Sequence, residues 1–206
     1  MTSRSGSSLV CGILAAHGLA WQDGNSDPRQ HYRGPGSYGY RTFEHPSIKA
    51  MLKTTIHPEK KCQKWPKGDM VPVTNPKLDI MKRGMQNAYW LPLDFVKSGV
   101  EFADLWKAWG ELASIDINFI KVYRPPEDIA ASLERRGIGP YDVGYEVACK
   151  RLELMDTVPG VTVATNMLMA EEDWHVSDIK RAVESCGVKW DRAATKLVID
   201  PEKFHD

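Results

Sequence analysis

The chain has 206 residues, 42% hydrophobic and 26% charged, and its 27 Lys and Arg balance 27 Asp and Glu. That composition excludes disordered, collagen-like and fibrous classes. Zero net charge speaks against a general nucleic-acid or membrane-surface binder, but it leaves room for a local anion site. No apolar run reaches the ~18–20 residues of a bilayer span, and MTSRSGSS does not lead into a signal-peptide core. Cys11, Cys62, Cys149 and Cys186 lie far apart with no C-x-x-C pair, so neither a zinc site nor a disulfide framework is expected. A reduced, cytoplasmic setting and a single domain over 1–206 follow as expectations.

In chain order, Leu9, Val10, Ile13 and Leu14 recur at helical spacing, with Ser7 or Ser8 as a cap and Gly18 as a stop. Residues 22–48 are rich in Gly, Pro and polar groups and read as a long surface loop. Residues 57–76 form a second long loop, broken by proline and basic in character. Phe102, Leu105, Trp106, Trp109 and Leu112 mark an amphipathic helix over about 101–113.

Ile117 to Tyr123 reads as a short strand stopped by Arg124-Pro125-Pro126. Glu127 and Asp128 suit the first turn of the next helix, and Gly137 suits its end. A further helix is expected over 141–156, a strand over 161–165, and a helix over 177–186 ended by Gly187. Strands alternating with helices predict an α/β fold with a central parallel sheet flanked by helices. Ligands of such sheets sit beyond the carboxyl ends of the strands, so the loops at Arg4 and Arg124 are expected on one rim.

Two segments carry chemistry. Thr2 to Val10 is a small, hydroxyl-rich turn feeding an apolar helix. Gly6 lets the backbone approach a ligand, and the first amides of the helix point at an anion. Ser7 and Ser8 add hydroxyls and Arg4 adds a fork suited to phosphate or sulfate. The plainer alternative is an ordinary capped helix start. It is not a Walker A loop, because no lysine precedes the hydroxyl residue. In the second segment, a strand delivers Arg124 to the rim and Ser132 follows eight residues later, two turns into a helix. Together they can grip a second phosphate; the plainer alternative is a solvated Arg and an incidental Ser.

The ordered pair resembles one family. Arg-Ser-Gly-Ser-Ser-Leu-Val at 4–10 resembles the 5′-phosphosulfate loop of sulfotransferases, and Val122 to Leu133 resembles their 3′-phosphate motif. The resemblance implies a P-loop-like three-layer fold and 3′-phosphoadenosine 5′-phosphosulfate as the donor. It implies that Arg4, Ser5, Gly6, Ser7 and Ser8 hold the phosphosulfate and that Arg124 and Ser132 hold the 3′-phosphate. The acceptor would be a hydroxyl or amine of a small molecule or glycan, with no metal required. Family members place a strand directly before the phosphosulfate loop, whereas only Met1 to Ser3 precede Arg4, so that first strand is expected to be missing.

Sulfuryl transfer needs a group that takes the acceptor proton. Glu44 is the first candidate, because Gly39 to Glu44 is similar to a segment of bacterial relatives, and Asp23 is the second. His45 and His17 stand behind them, His17 fitting better as a cap or core histidine. Trp65 and Trp90 are candidates for an acceptor pocket, whereas Trp106 and Trp109 read as core, and Lys60, Lys61 and Lys64 as a solvated face. The rival function is a non-catalytic nucleotide-binding or interaction protein on the same fold. A nucleotide or small-molecule kinase is disfavoured by the absent Walker lysine.

Overall fold

A computed structural model of the chain describes residues 6–20, 46–56, 68–88, 93–168 and 176–199. The architecture is α/β and mostly helical. In the first part, α1 (Ser7–Ala16) is followed by α2 (Pro46–Ile56) and α3 (Asn75–Ala88). A 3₁₀ turn over Val100–Phe102 then leads into α4 (Ala103–Ala113). The second part runs β1 (Ile120–Tyr123), α5 (Pro126–Arg135), α6 (Tyr141–Thr157), β2 (Val161–Ala164), a single turn α7 (Thr165–Leu168), α8 (Val176–Ser185) and α9 (Arg192–Val198). Among these residues no helix is long and apolar enough to cross a membrane.

β1 and β2 pair in parallel, Ile120 opposite Val161 and Tyr123 opposite Ala164. Parallel strands need a long crossover, and α5 with α6 supplies it. α5 starts where the sequence predicts: Pro126 fits the first turn, Glu127 and Asp128 face the positive end of the dipole, and Arg135 faces the negative end. Gly160 sets the start of β2. With φ at 124° and a Cβ that would stand 2.0 Å from the Phe119 carbonyl oxygen, it admits no side chain.

Two of the expected loops are shorter than the composition suggests. Residues 46–48 belong to α2, and Asn75–Pro76 open α3, so both helices begin with a proline in the first turn. Proline there loses no intrahelical bond, and it reads as loop only when its position is unknown. Residues 21–45 and 57–67 lie outside the described part, as do residues 1–5. The strand expected over 117–123 keeps only its last four residues, the length over which β2 partners it. Thr165, expected to end the second strand, instead opens α7.

The described residues form two large apolar clusters and a small one of Cys11 and Ala15 against Phe95. Leu9, Ile13 and Leu14 of α1 pack with Val163 of β2, Ile179 and Val183 of α8, and Val198 of α9. Ile48 and Leu52 of α2 pack with Met81 of α3 and with Phe102, Leu105 and Trp106 around α4. His17 closes the first cluster at its lower end. Its Nδ1 lies 2.8 Å from the Ile13 carbonyl, and the Asp191 amide donates to its Nε2 at 2.9 Å. Those bonds make it a tie between α1 and the cap of α9, the structural role that its place near a helix end suggests.

Segment 93–99 runs back along α1. The Ala20 amide donates to Asp94 Oδ2 and the Asp94 amide to the Ala20 carbonyl, both at 2.7 Å. At the other end, Lys97 Nζ donates to Ser8 Oγ at 2.9 Å. The segment then enters the 3₁₀ turn, where Glu101 is 1% exposed and meets Arg151 of α6 at 2.5 Å. This pair joins the α2–α4 cluster to the crossover helix.

Arg151→Met would leave the Glu101 carboxylate buried without its guanidinium. We expect a loss of about 3–5 kcal/mol in urea unfolding, the usual cost of breaking a buried pair. The double variant with Glu101→Leu is expected to be more stable than Arg151→Met alone, because no buried charge then remains.

Candidate anion-binding site

The site begins with the way α1 enters the sheet. Gly6 has φ 80° and a Cβ there would lie 2.7 Å from Thr165 side-chain atoms. Only glycine fits this left-handed, close approach. Thr165 follows β2 directly, and its hydroxyl donates to the carbonyl of Tyr123, the last residue of β1, at 3.1 Å. One threonine thus ties the start of α1 to the carboxyl ends of both strands. Among the first amides of α1, that of Leu9 donates back to the Gly6 carbonyl at 2.9 Å, and the helix start sits on that rim. Neither Ser7 nor Ser8 caps the helix; the cap position belongs to Gly6 and receives no side-chain bond.

Arg124 follows β1 on the same rim. Its Nε lies 3.8 Å from Asp128 Oδ2, and both side chains are partly exposed. Such an ion pair is worth little, so an anion can compete for the guanidinium. Ser7, Lys97 and Arg124 all line one cavity of about 730 Å³. Ile120, Lys121 and Val122 line it consecutively. Because successive strand residues point to opposite faces, the cavity runs along the edge of β1 that faces away from β2.

The body of the cavity is apolar, with Val10, Leu14 and Phe95 on its wall. Trp106 and Trp109 line it too, edge to face at 5.9 Å, and the Trp106 indole N–H donates to Ser98 Oγ at 2.9 Å. Among the described wall residues, Lys97, Lys121, Arg124 and Arg151 stand against Asp94 and Asp116. Arg151 is already paired with the buried Glu101 and Arg124 lies near Asp128, so the wall offers charges of both signs around an apolar body.

Of the residues expected in the site, Ser7 and Arg124 are brought together on this wall, and Gly6 and Ser8 flank it. Ser132 is 3% exposed on α5 and does not line the cavity. Arg4, Ser5, Asp23, Glu44, His45, Trp65, Trp90 and Lys60, Lys61 and Lys64 lie outside the described residues. Lys97 and Thr165 carry no motif and were not expected; only the position of Thr165 just past a strand could have flagged it. No cluster of three or more His, Cys, Asp or Glu placed to hold a metal occurs among the described residues.

Comparisons with protein-family models, curated proteins and solved structures give no match for this chain.

Cys11 lies one turn into α1 on the same wall, buried. Burial pushes its thiol up from 9.0 to about 11, partly opposed by the nearby Lys97 charge. A raised thiol favours the folded state below the unfolded value, and that stability is lost as pH climbs towards the folded value. At 1.36 kcal/mol for each pH unit between the two values, the loss is about 2–3 kcal/mol between pH 9 and 11. Urea midpoints are expected to fall over that window, and to fall less in Cys11→Ala.

Proposed function

We propose that the protein is a sulfotransferase that moves a sulfuryl group from 3′-phosphoadenosine 5′-phosphosulfate to a hydroxyl or amine acceptor. The observation that carries this reading is that Ser7 and Arg124, one from each sequence motif, line a single cavity. They do so at the carboxyl ends of parallel strands, where α/β folds hold their ligands. The P-loop-like three-layer fold belongs to the same proposal.

On this reading, Arg4, the first amides of α1 and the hydroxyls of Ser5, Ser7 and Ser8 hold the 5′-phosphosulfate. Arg124 takes the 3′-phosphate, whereas the buried Ser132 lies off the cavity. The acceptor is a small molecule or glycan. Its oxygen or nitrogen attacks sulfur in line, the new bond to sulfur forms as the S–O bond to the 5′-phosphate breaks, and Glu44, or else Asp23, takes the acceptor proton. The nucleotide leaves as 3′-phosphoadenosine 5′-phosphate. Fixed amides and cations aimed at the leaving phosphate stabilise the charge that gathers there, and no step calls for a metal.

Calorimetry with 3′-phosphoadenosine 5′-phosphate against ATP is the first test, followed by donor turnover over a panel of acceptors. Preferential binding of the first nucleotide with turnover is expected. Binding without turnover would point to a nucleotide-binding protein without chemistry, and preference for ATP would overturn the donor assignment. Arg124→Ala is expected to weaken nucleotide binding by about 1.5–3 kcal/mol, the worth of a hydrogen bond to a charged group. Glu44→Gln is expected to slow turnover by about 10²–10⁴-fold with binding nearly intact, since glutamine cannot accept the proton.

A further inference from the structure

We propose that the apolar body of the cavity seats the acceptor by a ring, so that the acceptor is an apolar, ring-bearing alcohol or amine rather than a glycan. The inference rests on the sulfotransferase reading and narrows the acceptor class that this reading leaves open. Besides Ser7 and Arg124, the wall takes Val10 and Leu14 from α1, Phe95 from the segment along it, and Trp106 and Trp109 from α4. Its volume of about 730 Å³ falls within the range of about 300–1,000 Å³ usual for small-molecule sites.

The polar side chains of this wall decide between the two classes. The Trp106 indole N–H is taken by Ser98 Oγ at 2.9 Å, Asp94 Oδ2 accepts the Ala20 amide at 2.7 Å, and Arg151 Nε pairs with the buried Glu101. Beside α8, Ser185 Oγ donates to the Ala182 carbonyl at 2.8 Å and Asn118 Nδ2 to the Ser185 carbonyl at 3.4 Å. All of these residues line the cavity, and all of these bonds stay within the protein. A sugar ring carries a hydroxyl on most of its carbons, and each one that leaves water without finding a partner weakens binding.

An apolar ring makes no such demand, and it gains from each contact with the aliphatic wall. The two tryptophans add aromatic surface, edge to face at 5.9 Å, with Trp106 held by its bond to Ser98. Met85 and Met155 line the cavity too, and their soft, unbranched side chains adapt to rings of different outline. The ring carries the oxygen or nitrogen that attacks sulfur. The S–O bond to the 5′-phosphate breaks as the new bond forms, its electron pair leaves with the nucleotide, and the acceptor proton passes to the base.

The test titrates the wild-type chain, without nucleotide, with two probes of similar size, 2-naphthylmethanol and methyl β-glucopyranoside. In calorimetry the naphthyl alcohol is expected to bind at least 10-fold tighter, with the negative heat-capacity change that marks apolar burial. Trp109→Leu and Met155→Trp, the one removing a ring from the wall and the other filling the space, alter partly buried positions. Each is expected to weaken the alcohol at least 5-fold, with urea unfolding as the check that the variant is folded. Equal affinity for the two probes, a tighter glucoside, a heat-capacity change near zero, or undiminished alcohol binding in a folded variant would overturn the inference. The donor is then added. Sulfation of the naphthyl alcohol and not of the glucoside supports the inference and the reading beneath it. Sulfation of the glucoside alone supports the sulfotransferase reading and overturns the inference. Tight binding of the alcohol with sulfation of neither probe leaves the ring pocket standing and counts against the sulfotransferase reading.

Discussion

The close approach of Gly6 to Thr165 is the constraint on which the site depends. A side chain at Gly6 would collide with Thr165 at 2.7 Å, and Thr165 is bonded in turn to the last carbonyl of β1. Because of this contact, α1 cannot begin anywhere but on the carboxyl rim of the two strands. Its first amides, the charge of Arg124 and the mouth of the cavity then share one edge. A helix seated a few ångströms lower would bury those amides against the strands and leave Arg124 alone on the surface.

The remaining structure holds that arrangement in place from both sides. Behind α1, the apolar cluster with β2, α8 and α9 fixes its inner face, and His17 ties its far end to the cap of α9. In front, segment 93–99 is pinned at Ala20 and again at Ser8, so it runs the length of the helix. The buried Glu101–Arg151 pair then links that segment to α6, which belongs to the crossover between the strands. A buried ion pair is weak evidence for net stability, but it tolerates little change of position. Its contribution here is to register the α2–α4 cluster against the sheet.

Much of the architecture was legible because local chemistry and fold agree. The bounds of α5 follow from Pro126, Glu127, Asp128 and Gly137, and β2 follows from a short β-branched run after a glycine. α2 and α3 were not legible, because their prolines lie in first turns within stretches whose composition resembles a loop. In the site, Gly6, Ser7 and Arg124 could be read from their places beside a helix start and a strand end. Lys97 could not, since an exposed-looking lysine has no local pattern that distinguishes a solvated side chain from a site residue.

By itself, then, the sequence determined where Gly6 and Arg124 stand, because glycine at a helix entry and arginine after a strand express local backbone and charge rules. It also determined the α/β class, through the order of short apolar runs and amphipathic stretches. Only the tertiary structure decided that Ser7 and Arg124 face one cavity, that Thr165 joins α1 to both strands, and that Lys97 reaches Ser8. Those facts are contacts across 42 and 89 residues of chain. They depend on how the elements pack against one another, which no local propensity encodes.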